Sequence, residues 1–148
     1  MANFWTVALP QRLPALAAAL WWGSLSAVGF VVVPLLFAHL PSPALAGRMA
    51  ATLFEAQTWV SVACTAALLM VAKRRDAQAE EPWARDVLVW VILGMLLALL
   101  VQFGVAPRII AKQDLRLWHS LGTLMYALQW LCALRVLWRT CAPSTPAR

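Results

Sequence analysis

Two ionisable side chains lie inside long apolar stretches of this sequence: Glu55, in LFEAQTWVSVAC, and His119, in LRLWHSLGTLMYALQW. A charge at the centre of a bilayer costs about 2.5–3.5 kcal/mol on insertion scales. Glu55 and His119 are read at similar depth near the outer edge of the core, where the cost is well below that, and each still calls for a partner or a task. Polar neighbours recur at helical spacing. His119, Gly122, Tyr126, Gln129 and Ala133 step by three and four, which places them on one face of a helix. Thr52, Glu55, Thr58, Val62 and Thr65 form a comparable face upstream. If both faces turn inward, Glu55 pairs with His119, while Arg108, just past Pro107, competes for the carboxylate. The candidate polar cluster is Glu55, His119, Arg108, Gln102, Tyr126 and Gln129.

Three chemistries fit such a cluster. The favoured one is structural, a Glu55–His119 pair that fixes helix register, as polar groups in membrane bundles do. The second is a polar pocket opening outward to a small ligand. The third is ligation of a metal or haem, with His39 joining Glu55 and His119. His39, however, precedes Pro41 and Pro43, where a solvated imidazole is the default. No HxxxH, CxxC, GxSxG, Walker loop or Rossmann glycine pattern is present. No catalytic, cofactor or metal residue is therefore assigned, the expectation leans away from an enzyme, and haem or copper stands only as an alternative.

The elements that must position these residues follow from composition. Of 148 residues, 63% are hydrophobic and 12% charged, with a mean hydropathy of +0.74. A soluble domain has about 25% charged residues, so most of this surface must face something other than water. The net charge of +6 is spread between apolar runs rather than pooled in one stripe, so nucleic acid is not an expected partner. Cys64, Cys132 and Cys141 form no paired motif and do not suggest a disulfide framework.

Four runs approach the roughly 20 apolar residues that cross a ~30 Å hydrocarbon core. They cover about 13–38, 49–72, 87–107 and 115–138. The predicted class is an all-α integral membrane protein, a four-transmembrane-helix bundle forming a single membrane domain over 1–148. Ala44-Leu45-Ala46 resembles a signal-peptidase site, but the apolar run before it is far longer than the ~7–15 residues of a signal peptide, so it is read as a retained span.

With four spans, both termini and the second connection share one side. That side carries Arg12, Lys73, Arg74, Arg75, Arg85, Arg135, Arg139 and Arg148, against Arg48, Arg108, Lys112 and Arg116 on the other. The bias puts both termini in the cytoplasm, with Trp83 and Trp138 in one interfacial belt and Trp59 and Trp118 towards the other.

Helix association in lipid depends on close approach through small residues. Ala15, Ala19, Gly23 and Ala27 in the first span, and Gly94, Ala98, Gln102 and Ala106 in the third, read as buried seams. Phe30 and Pro34 match Phe103 and Pro107, and Leu53-Phe54-Glu55 matches Leu117-Trp118-His119, which suggests two similar helical hairpins in parallel repeat. Pro34 and Pro107 each remove a backbone donor; they are read as ending or bending the odd helices, with pocket lining beside Gln102 as the alternative.

Trp22-Gly23-Ser24, Phe30 to Pro34 with Leu36-Phe37, Ala46-Gly47 before Leu53-Phe54, Phe103-Gly104 with Pro107-Arg108, and Leu117-Trp118-His119-Ser120 carry a family likeness. In order and spacing they resemble a bacterial four-span membrane protein family of unknown function, related to the eukaryotic transmembrane protein 205 type. The likeness covers about Leu16 to Trp138 and implies a four-helix inner-membrane protein, with no activity or site residue to carry over. The leading functional expectation is a non-enzymatic protein that binds a small ligand or associates with another membrane protein. A metal- or haem-handling redox protein and a subunit of a small transporter, acting as a homo-oligomer, are the rivals.

Overall fold

A chain in hydrocarbon must satisfy its own N–H and C=O groups, and a helix does so within one segment. The computed structural model describes residues 4–77 and 83–141, with side chains over 12–74 and 87–141. The elements are α1 (Phe4–Ala27), a wide π-helical turn (Val28–Val32), α2 (Val33–His39), α3 (Pro43–Ala77), α4 (Trp83–Leu100), a second π-helical turn (Val101–Val105), α5 (Ala106–Ile110) and α6 (Leu115–Cys141). Four helical stretches are long and apolar enough to cross a membrane: Arg12–His39, Pro43–Arg74, Val87–Ile110 and Leu115–Cys141. The protein is an all-α, multi-pass membrane protein, and no strand occurs among the described residues.

The two prolines do not end their helices. Pro34 and Pro107 each follow a five-residue π turn, and the helix runs on to His39 in one case and Ile110 in the other. A proline ring removes one donor and clashes with the carbonyl four residues back, here Phe30 or Phe103. A wide turn just ahead of the ring accommodates both: the N–H of Val33 reaches the Val28 carbonyl, and that of Ala106 reaches Val101.

The elements repeat. Val28, Phe30, Val32 and Pro34 recur as Val101, Phe103, Val105 and Pro107, a separation of 73, while the starts of α3 and α6, Pro43 and Leu115, lie 72 apart. In the bundle α1 packs on α3 and α6, and α4 packs on the same two helices. Exchanging α1 with α4 and α3 with α6 leaves every neighbour relation unchanged, as a two-fold axis along the bundle requires.

That axis is where the core closes. Buried Trp21 reaches across from α1 to Gly94, its counterpart on α4, where an added Cβ would lie 2.5 Å from the indole. Leu25, Leu68, Val87, Val91 and Val136 fill the rest of the interior towards the termini. The outer surface is as apolar as the core, with Phe30, Phe103, Leu124 and Trp138 all well exposed. That inverted finish suits a lipid solvent.

One expected seam faces the wrong way. Ala19 and Ala27 are exposed and a Cβ on Gly23 would meet nothing within 4 Å, whereas Pro14, Ala18, Trp21 and Leu25 are buried. The true inner stripe lies one to two residues round the helix, and it is led by Trp21, whose bulk is received by Gly94 on α4. On α4, Gly94 and Ala98 do face inward, with Gln102 and Ala106 half-buried beyond them. Of the residues on which the charge bias rests, Arg148 lies outside the described residues, as do the side chains of Arg75, Trp83 and Arg85.

Candidate functional site

The buried polar side chains gather in one layer around the axis. Gln57, Thr58, Ser61 and Thr65 of α3 and Gln129 of α6 are each no more than 6% exposed. Their spacing along α3 follows the stripe that also buries Ala46, Ala50, Cys64, Leu68 and Ala72. Gln57 and Gln129 lie 72 residues apart, the separation of the helix starts, so they are equivalent positions of the repeat.

Both glutamines converge on Ser61. Its Oγ accepts the Nε2 of Gln129 at 3.0 Å and, more weakly, that of Gln57 at 3.4 Å, and donates to the backbone carbonyl of Gln57 at 2.9 Å. Gln57 Nε2 also donates to Ser24 Oγ of α1 at 3.0 Å, and Ser24 donates to the Trp21 carbonyl. A hydroxyl has one proton, and Ser61 has spent it, so both carboxamides must present nitrogen to it. Each Oε1 is left with no donor among the described residues.

Aromatic residues roof this layer on the side of the two short connections. Phe54 and Tyr126, again 72 apart, meet edge to face with centroids 5.3 Å apart. Tyr126 donates its hydroxyl to the Leu25 carbonyl at 2.8 Å, and its ring occupies the space a Cβ on Gly29 would need. Beside it, Trp130 donates to Ser26 Oγ at 2.8 Å. A cavity of about 10 Å³ remains beneath the roof, lined by Phe54, Gln57, Thr58, Ser61, Ala98, Val101, Tyr126 and Gln129.

Of the expected cluster, then, Tyr126 and Gln129 come together and the others do not. Gln102 is half-buried in the second π turn and bonds to none of them. Arg108 donates to the Gly104 carbonyl and lays its guanidinium 4.6 Å over the Trp118 ring. Glu55 and His119 are both exposed and do not pair. At those two positions the inward residues are the neighbours, Phe54 and Trp118, whereas Thr58, Thr65, Gln129 and Ala133 of the expected faces are buried.

Depth separates the pair as well. The Phe54–Tyr126 contact sets the levels of α3 and α6, and His119 lies seven residues beyond Tyr126 while Glu55 lies one short of that level. At 1.5 Å per residue they are offset by about 12 Å along the bundle. The proposed match of Leu53-Phe54-Glu55 to Leu117-Trp118-His119 is therefore eight residues out of register, and Phe54 answers to Tyr126 instead.

His119 and His39 each use Nδ1 on a carbonyl of their own helix, Leu115 at 2.9 Å and Leu35 at 3.1 Å. A carbonyl only accepts, so Nδ1 carries the proton in both rings. No three His, Cys, Asp or Glu side chains converge among the described residues, and the Glu55–His119–His39 set is not assembled.

Residues 16–117 match the family described as a domain of unknown function, DUF4149. The chain belongs to that family. No curated protein and no solved structure matches it. The match spans α1 to the start of α6 and takes in Ser24, Gln57 and Ser61, but stops short of Gln129. Sequence reading missed Gln57, Ser61, Ser24 and Trp130. The available signal was the constant separation near 72 between Phe54 and Tyr126, Gln57 and Gln129, and the helix starts.

Proposed function

We propose that this is an inner-membrane protein with both termini in the cytoplasm, which acts without catalysis by associating laterally with another membrane protein. The observation that carries this is Glu55. It stands exposed on a spanning helix, seven residues from Arg48 and eighteen from Lys73, or roughly 10 Å and 27 Å along the axis. No described side chain answers it. An ionisable group at such a depth persists where another group meets it, and among the described residues none does. The interior supports the same reading, because it leaves a cavity of only about 10 Å³. A partner helix presenting a cation or a hydrogen-bond donor at the level of Glu55 would satisfy the carboxylate.

The test is isolation from the native membrane in mild detergent, wild type beside Glu55→Leu and Glu55→Gln. Glu55→Leu is expected to lose the co-purifying protein while the thermal midpoint of the bundle stays unchanged, since the side chain makes no internal bond. Glu55→Gln, which keeps hydrogen bonding, should retain part of the association. A complement of bound proteins identical in wild type and Glu55→Leu would contradict the proposal.

A further inference from the structure

We infer that the cavity between Gln57 and Gln129 is a binding site for one neutral, water-sized donor of two hydrogen bonds, a single water molecule. The inference is independent of the lateral partner of Glu55. It begins from the two carboxamides, 5% and 3% exposed, which line one cavity from equivalent positions of the two halves. Ser61 fixes their orientation. Its single proton goes to the Gln57 carbonyl, so its lone pairs draw the Nε2 of each glutamine and leave each Oε1 without a protein donor.

The other hydroxyls lining the cavity are already committed. Thr58 donates to the Phe54 carbonyl at 3.0 Å and Tyr126 to the Leu25 carbonyl at 2.8 Å. What the site lacks is two protons, one for each carboxamide oxygen. A buried acceptor left unmet is costly, and waters are the usual remedy in polar cavities of sufficient size. About 10 Å³ is the room one water needs.

Charge decides between water and a small cation. No described carboxylate lines the cavity, and Glu55 faces away from it. A monovalent cation there would be buried without a counter-charge in low dielectric.

Cavity filling separates an occupied site from a void. Ala98 is buried and lines the cavity, so Ala98→Val projects its added methyls into it. Filling a dry void raises the unfolding midpoint, whereas displacing a bonded water strips two acceptors and lowers it. The expectation is a lowered midpoint in the wild-type background, and no loss where Met replaces both Gln57 and Gln129, since the oxygens are then gone. A midpoint raised by Ala98→Val, or lowered equally in both backgrounds, would overturn the proposal.

The native protein gives a second readout that does not depend on the double variant folding. With glutamine amides labelled with nitrogen-15 in micelles, the side-chain protons of Gln57 and Gln129 should show nuclear Overhauser cross-peaks to water that vanish in Ala98→Val. Absence of those cross-peaks in the wild type would overturn the site. A stabilisation by ammonium chloride that sodium chloride does not reproduce would overturn the neutrality of its occupant.

Discussion

Trp21 and Gly94 occupy equivalent positions in the two halves and meet at the axis, one supplying the bulk that the other leaves room for. An added methyl at Gly94 would lie 2.5 Å from the indole, so Gly94→Ala should destabilise by about 1–3 kcal/mol through overpacking. Gly23 meets nothing within 4 Å, and Gly23→Ala should change stability by no more than about 0.5 kcal/mol. Thermal unfolding of the two variants in detergent checks the contrast, and equal losses would remove Trp21 as its cause. Ser61→Ala should cost about 1–3 kcal/mol, because it takes the shared acceptor from two buried carboxamides at once. Ser120→Ala, which loses only a bond to the exposed Arg116 carbonyl, should be near neutral in the same assay.

At the scale of elements, the π turns tie the prolines to the packing of the connections. Pro107→Ala returns a backbone donor and removes the clash with Phe103, so the turn Val101–Val105 is expected to relax towards α-helical bonding. That relaxation would rotate α5 by about 100° and carry Arg108 off the Trp118 ring. Hydrogen exchange across Val101–Val105 should slow in the variant; unchanged exchange would mean that packing, not the ring, holds the turn wide. The existence of the helices was legible because runs of about 20 apolar residues admit little else. Their rotation was not. In lipid the outer face is as apolar as the inner one, so hydrophobicity does not say which side of a helix turns inward. The misplaced residues are slips of one or two positions: Gly23 for Trp21 and Leu25, Glu55 for Phe54, His119 for Trp118. What would have set the rotation is the repeat read from the helix starts, which pairs Gln57 with Gln129 and leaves Glu55 opposite Ala127.

For the molecule as a whole, the duplication gives two halves that share one polar layer, with apolar packing towards the termini and short connections at the other end. Orientation rests on eight basic residues against four, and Cys141 makes it measurable. Cys64 and Cys132 are buried and Cys141 is exposed at the end of α6. A membrane-impermeant maleimide should label the protein in inverted vesicles and not in intact spheroplasts; labelling only from outside would reverse the topology. The functional account places the working surface outside the bundle, on the face of α3 that bears Glu55 and, one turn further on, the exposed Trp59. Its most direct test is a photoreactive residue at Trp59 in native membranes. The account predicts one discrete protein adduct that Glu55→Leu abolishes. Adducts to lipid alone, or a protein adduct indifferent to Glu55, would contradict it.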